Sequence, residues 1–167
     1  SYQNLLEVEN YIDYMLLNYY LGNRDWNKNN WVMVRNRNTN EEGFRFLCWD
    51  AETTMTSVTE NMVAPEMDAK NPAWFIQFLM ENEDFKVLFA DRVKMHMQDE
   101  GGALTPSVAA ERYQRLVDEI DMPIIGESAR WGDYRRDVDP GENSYDLYTR
   151  EEHWLNRIEY MHNFYLP

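Results

Sequence analysis

A chain of 167 residues is long enough to bury one hydrophobic core of ordinary size, so we expect a single domain over residues 1–167. Hydrophobic residues make up 44% of the chain and aromatic residues 14%, too much for an intrinsically disordered protein despite a net charge of −14. Thirty acidic side chains face only sixteen basic ones with no basic cluster, which argues against a nucleic-acid partner because phosphate binding requires a local excess of Lys and Arg.

Cysteine usage and hydropathy exclude further classes. The lone Cys48 excludes an internal disulfide and a zinc site built from several cysteines. No apolar stretch of about 18 residues or more is present, and no basic segment precedes an apolar run, so the sequence predicts neither a membrane span nor a signal peptide. The chain begins without Met and enters a helical pattern almost at once, which is typical of a piece of a longer protein.

The first half of the chain predicts a helix followed by a hairpin. Apolar residues recur at three- and four-residue spacing over residues 5–21, and Gly22 with Asn23 follows as a stop signal, which predicts an amphipathic helix. Aromatic and aliphatic runs at 31–37 and 44–49 are separated by the polar "NTNEEG", a pattern typical of two antiparallel strands. Residues 50–68 lose periodicity and are predicted to be a loop.

The second half is predicted to be helical. Asn71-Pro72 and Thr105-Pro106 each place a side-chain acceptor before a proline, which indicates two helix starts. Thr149 and Glu152 have the spacing of a capping box and predict the start of a last helix. Pro123 is expected to break the stretch 107–131 in two. The predicted fold class is therefore mainly α (α+β), with one small β-hairpin.

The loop "GNRDWNKNNW" at residues 22–31 carries the most specific polar pattern. Asp25 and Asn30 are separated by four residues, and the hairpin that follows ends in Asp50. Protein kinases use an Asp that accepts the substrate proton, an Asn five positions later on the metal, and a second metal-binding Asp after a short hairpin. Hard oxygen ligands suit Mg²⁺, and a loop braced by a hairpin holds them at a fixed separation.

Two other interpretations of this loop stand beside phosphoryl transfer. Asp and Asn are common in turns because their side chains bond the nearby backbone, so the spacing alone is also compatible with a plain turn. A calcium loop would use alternate positions such as Asp25, Asn27 and Asn29, but it requires Gly at the sixth position and Glu at the twelfth, where this chain has Asn30 and Asn36. The three histidines lack metal-ligand spacing and are expected to be surface or capping residues.

The chain resembles the CotH kinases, a family of atypical protein kinases named after a spore-coat protein. The resemblance extends over most of the chain and rests on "NYYLGNRDWNKNNWVMVRNR", "GFRFLCWDAE", "NPAWFIQFLMENEDFKVLFADRVKMHM", "ALTPSVAAERYQRLVDEI" and "ESARWGDYRR". It implies a kinase-like fold that phosphorylates Ser or Thr hydroxyls of a protein substrate with ATP and Mg²⁺ or Mn²⁺. It also implies a location at the cell surface, in the secreted fraction or in the spore coat.

Carried over by position, the resemblance implies roles for Asp25, Asn30 and Asp50. Asp25 is similar to the catalytic Asp, while Asn30 and Asp50 are similar to metal ligands. Glu52 stands where the family usually shows the second acid of a Trp-Asp-x-Asp segment, and it is included as a candidate metal ligand. Lys28 is a candidate for neutralising a nucleotide phosphate; the alternative is a solvated lysine in a turn.

Only 24 residues precede Asp25, too few to supply a nucleotide-clamping lysine, its partner glutamate and a covering loop. We therefore expect this chain to be the C-terminal, catalytic-loop lobe, with the nucleotide-binding lobe outside it and little or no kinase activity by this piece alone. The alternative function is a non-catalytic adhesion or binding module at the cell surface that keeps the kinase-like scaffold.

Overall fold

The structure, a computed structural model, describes residues 5–38, 42–63, 68–138 and 147–166. The chain divides into two compact units, Ser1–Thr105 and Pro106–Pro167. In the described ranges, regular structure is helical apart from one two-stranded antiparallel sheet, which confirms the predicted mainly α class with a small hairpin. None of the helices described is both long and apolar enough to cross a membrane.

Helix α1, Val8–Leu21, supplies most of the core of the first unit. It begins three residues later than predicted because the preceding backbone pairs with the hairpin: Phe44 N donates to Leu5 O at 2.8 Å, and Glu7 N donates to Phe44 O at 3.0 Å. The apolar positions at helical spacing are buried as the periodicity predicts. They are Tyr11, Ile12, Tyr14, Met15 and Leu16.

The hairpin consists of β1, Trp31–Val34, and β2, Arg45–Cys48, in antiparallel register with Trp31 opposite Cys48. Both strands are shorter than predicted, and the predicted turn falls partly on residues 39–41, which lie outside the described residues. Phe46 is buried on the inner face, with its ring centroid 5.3 Å from that of Tyr11 and 5.2 Å from that of Tyr14. These aromatic contacts fix the hairpin against α1.

The next helical segment is broken where the sequence analysis predicted no break. A 3₁₀ helix, Pro72–Phe75, starts at the predicted proline and leads into α2, Ile76–Leu79. The Asn71 side chain makes no capping bond. A second start follows at α3, Glu83–Met97, where Asn82 Oδ1 accepts a hydrogen bond from Phe85 N at 3.0 Å. Asn82 is thus a true N-cap.

Replacing this cap should measurably destabilise the first unit. Asn82→Ala leaves the Phe85 N–H without its acceptor, and we expect a loss of about 1 kcal/mol in the free energy of unfolding. Asn82→Asp is the matched control, because its carboxylate also accepts this bond and suits the positive end of the helix dipole. Urea denaturation of the three proteins makes the comparison; equal stability of Asn82→Ala and wild type would contradict it.

The second unit contains α4, Pro106–Trp131, and the short α5, Tyr134–Asp137. Helix α4 starts at the predicted Pro106. The predicted break at Pro123 is wrong, because α4 continues through it. Proline removes one backbone hydrogen bond, to the carbonyl of Glu119, but Pro123 is exposed, so water can satisfy that group.

The last helical segment begins after Thr149, as predicted. It runs through a π-helical turn, Arg150–Trp154, into α6, Leu155–Tyr160, and ends in a second π-helical turn, Met161–Tyr165. Thr149 Oγ1 accepts from Glu152 N at 3.1 Å. The acceptor for the Thr149 N–H is His153 Nδ1 at 3.1 Å, so a histidine performs the second half of the capping box.

Candidate active site

The candidate loop follows from the way α1 ends. Gly22 adopts a left-handed conformation with φ 57°, and its N–H donates to Tyr19 O at 3.2 Å. The next amide, Asn23 N, donates to Asn18 O at 3.1 Å. A glycine in this conformation is the usual residue for satisfying the last carbonyls of a helix while the chain turns away. Residues 23–30 therefore leave the helix as a compact loop.

Two buried asparagines fix the backbone before Asp25. Asn18 Nδ2 donates to Tyr14 O at 2.8 Å, and Asn23 Nδ2 donates to Asn18 Oδ1 at 2.9 Å. Asn23 Oδ1 in turn accepts from Asp25 N at 3.4 Å. Both asparagine side chains are almost fully buried, where each polar group requires a partner. These three hydrogen bonds connect the core of the first unit to the amide of Asp25.

Trp26 and Asn27 anchor the middle of the loop. The Trp26 side chain is fully buried, and its ring lies edge-on to those of Tyr14 and Tyr19, with centroid separations of 5.7 and 6.0 Å. Asn27 Oδ1 accepts from Ala73 N at 3.0 Å, a buried bond to the 3₁₀ helix. The neighbouring polar residues are thus held by side chains that point into the core.

Asn30 joins the candidate residues into one group. Its Nδ2 donates to Asp25 Oδ2 at 2.8 Å and to the backbone oxygen of Asp50 at 3.2 Å. The loop between Asp25 and Asn30 is a tight turn, in which Asp25 O accepts from the amides of Lys28 and Asn29, both at 3.2 Å. The turn places the side chains of positions 25 and 30 side by side. Asp25 and Asn30 are therefore adjacent in space, together with the backbone of Asp50, which lies 20 residues after Asn30 in the sequence.

The oxygens that remain define what this group can bind. With both amide protons of Asn30 engaged, its Oδ1 is the atom of that side chain left to bind a cation. Asp25 Oδ1 is buried and accepts no hydrogen bond from a described residue. Asp50 has an exposed side chain and a left-handed backbone, φ 51°, a conformation in which Asp is enriched among non-glycine residues.

The other two predicted residues lie at the edge of this group. Lys28 is exposed on the outside of the turn. Glu52 is also exposed, and its Oε1 accepts from Thr53 Oγ1 at 3.5 Å; no hydrogen bond in the described part of the chain joins it to Asn30. Across the same ranges, no three His, Cys, Asp or Glu side chains are grouped to hold a metal ion by themselves.

The histidines take separate roles. His96 Nε2 lies 3.0 Å from Asp13 Oδ1, in a cluster with Arg92 between α1 and α3. His153 is the capping residue already described, and His162 Nε2 lies 2.7 Å from Gln114 Oε1. The expectation that the histidines are surface or capping residues is confirmed for His153.

Sequence reasoning missed the asparagines that position the site. Asn18 lies on the apolar face of α1, four residues after Tyr14 and three after Met15, which are both buried. A polar residue on such a face indicates a buried hydrogen bond. Asn27 gave no comparable signal, because its partner Ala73 is 46 residues away.

The helical scaffold and its hairpin bring together an Asp, an Asn five residues later and the backbone of a second Asp. The comparison with known families shows which class of protein carries this arrangement. The family described as CotH kinase protein matches residues 1–166, so the chain belongs to this family and the resemblance is confirmed. No curated protein and no solved structure matches the chain.

Proposed function

We propose that this chain is the catalytic-loop lobe of an ATP- and divalent-metal-dependent protein serine/threonine kinase. The observation that carries the proposal is the double hydrogen bond of Asn30, which fixes the carboxylate of Asp25 and the backbone of Asp50 to each other. Membership of the CotH kinase family supports the same reaction class. The nucleotide-binding lobe is proposed to lie outside these residues.

The donor set fits a magnesium or manganese ion bound together with a nucleotide. Asn30 Oδ1 and the Asp50 carboxylate would hold the ion, with the exposed Glu52 as a further oxygen donor. Mg²⁺ usually takes only one or two carboxylates and completes its shell with water and substrate phosphates, so a pre-formed cage of three acids is not required. The bound ion and ATP would supply the transferable phosphoryl group and neutralise its charge.

The chain's own residues would orient the acceptor hydroxyl. Asp25 Oδ1, which is buried and has no donor among the described residues, is the oxygen proposed to accept the hydrogen bond of a substrate Ser or Thr hydroxyl and then its proton. An unpaired buried carboxylate oxygen is unfavourable, and a substrate donor would relieve that cost. Asn30 donates to Oδ2, which restricts rotation of the carboxylate. Lys28 is proposed to neutralise a phosphate at the loop's outer edge.

The proposal predicts phosphoryl transfer that depends on a divalent metal. The full-length protein, incubated with ATP, Mg²⁺ or Mn²⁺ and a pool of Ser- and Thr-containing peptides, should place phosphate on hydroxyl side chains. Chelation of the metal should stop the transfer and re-addition should restore it, because the phosphates lose their counter-charge. Phosphopeptide mass spectrometry is the measurement. No transfer with either metal would contradict the kinase proposal and favour the cell-surface binding module.

A further inference from the structure

Residues 53–62, here called the strap, lie against the candidate loop at several points. Arg24 N donates to Thr53 O at 3.2 Å, and Met55 N donates to Leu21 O at 2.8 Å. Met55 is held in a left-handed conformation, φ 53°, which is unfavourable for a residue with a long side chain and persists only where its surroundings hold it. At the far end, Met62 packs against the core of the first unit.

An ion pair adds a further contact. The guanidinium of Arg24 contacts the carboxylate of Glu60. Glu60 is itself held in a turn, since its N–H donates to Ser57 O at 3.2 Å and the hydroxyls of Ser57 and Thr59 are 2.8 Å apart. The hydrogen bond from Arg24 lowers the pKa of the Glu60 carboxyl, so the pair is charged at neutral pH. Arg24 therefore binds the strap through both its backbone and its side chain.

Hydrogen bonds to residues 50–53 lie on both sides of Asp25. On one side of it, Asn30 Nδ2 binds Asp50 O; on the other side, Arg24 N binds Thr53 O. The same two segments, 24–30 and 50–53, are thus joined twice, with Asp25 between the joints. A displacement of the strap would move Arg24, the residue directly before Asp25. Small displacements of a reacting group reduce rates strongly because the reaction requires a near-attack geometry.

We propose that Arg24 and Glu60 are positioning residues, which hold Asp25 and Asp50 in a fixed relation by pinning the strap to the candidate loop. This inference rests on the proposed kinase function. The pair is partly exposed, with 52% of the Arg24 side chain and 21% of the Glu60 side chain accessible, and such pairs add little to global stability. Its loss should therefore appear in turnover and in local opening, and hardly in the unfolding midpoint.

The kinetic test compares Glu60→Gln and Arg24→Gln with wild type in the full-length protein. We expect kcat to fall roughly tenfold, with KM for ATP within about twofold, since the geometry of the acid–base group is disturbed and the metal ligands are retained. The charge-swapped double variant Arg24→Glu with Glu60→Arg should recover most of kcat. Lys86→Gln, which removes another exposed pair of the same unit, is the matched control and should leave kcat unchanged.

A second measurement separates this proposal from the proposed function. Native-state hydrogen exchange of the Arg24 and Met55 amides, measured without nucleotide, should be several-fold faster in Glu60→Gln than in wild type or Lys86→Gln. Unchanged exchange, or unchanged kcat in an active enzyme, overturns the positioning role. An inactive wild-type protein would overturn the kinase proposal and the positioning role with it, while faster exchange would still show that the ion pair pins the strap.

Discussion

Asp25→Asn is expected to lower turnover of the full-length enzyme by roughly 10² or more while leaving ATP affinity within a few-fold of wild type. The amide has nearly the same shape as the carboxylate, and its oxygen is able to accept the bond from Asn30 Nδ2 that now goes to Asp25 Oδ2. It cannot take a proton from a substrate hydroxyl. The variant therefore removes the acid–base function and keeps the loop.

Asp50→Ala is expected to have a different defect from Asp25→Asn, because it should lose ATP binding as well as turnover. If Asp50 holds the metal that bridges the phosphates, its loss should abolish metal-dependent ATP binding together with turnover. The backbone oxygen of Asp50, which accepts from Asn30, is retained in this variant, but alanine is less favourable than Asp in the left-handed conformation of position 50. Asp50→Asn is the matched control, because asparagine also tolerates this conformation and removes only the charge. Calorimetric titration of Mg-ATP and a peptide phosphorylation assay distinguish the two variants. Equal ATP affinity in wild type, Asp25→Asn and Asp50→Ala would remove the kinase assignment for this loop.

The elements that local patterns determine were predictable. The 3.6-residue periodicity over residues 5–21 identifies α1, and the proline at position 106 marks the start of α4. The hairpin follows from two apolar runs flanking a polar turn. In each case the signal lies within a few residues of the element that it predicts. The helical class and the single hairpin follow from these elements alone.

The helix breaks were predicted wrongly, because tertiary contacts and solvent exposure decide where a helix ends. Pro123 is unfavourable in any helix, yet α4 continues through it at an exposed position. Asn82 is a residue type favoured at helix N-caps, but it stands within a stretch of helix-forming residues that predicts no break. The expected break at Pro123 is therefore absent and the break before Asn82 is not predicted, because local preferences compete with tertiary contacts that the sequence does not display.

At the candidate site, too, contacts between residues close in sequence were predictable and contacts between distant residues were not. The proximity of Asp25 and Asn30 follows from a short turn, so spacing alone was sufficient to predict it. Arg24 and Glu60, by contrast, are 36 residues apart and paired through a loop without periodicity, and no sequence pattern marks their contact. Chemistry-bearing residues were thus easier to identify than the residues that hold them in place. Their assigned roles in catalysis and metal binding stay predictions.

The largest effect on stability is expected at Trp26, the bulkiest fully buried side chain, which lies next to Asp25 in the loop. Trp26→Ala removes the ring that packs edge-on against Tyr14 and Tyr19, and leaves a cavity in the core of the first unit. Such truncations cost about 3–5 kcal/mol in the free energy of unfolding. That is a large part of the total stability of a typical domain, so the first unit should unfold at a much lower urea concentration than in wild type.

Trp26→Phe keeps the prediction measurable if the alanine variant does not fold. It retains a ring in the cavity and removes the indole N–H, a buried donor without a partner among the described residues, so the loss should be clearly smaller than for alanine. Trp131→Ala is the control at a tryptophan that is 49% exposed, where little packing is lost. Urea denaturation followed by far-UV circular dichroism ranks the three variants. A loss at Trp131 as large as that at Trp26→Ala would show that burial in the loop does not anchor the first unit, and would remove the physical basis for a rigid Asp25.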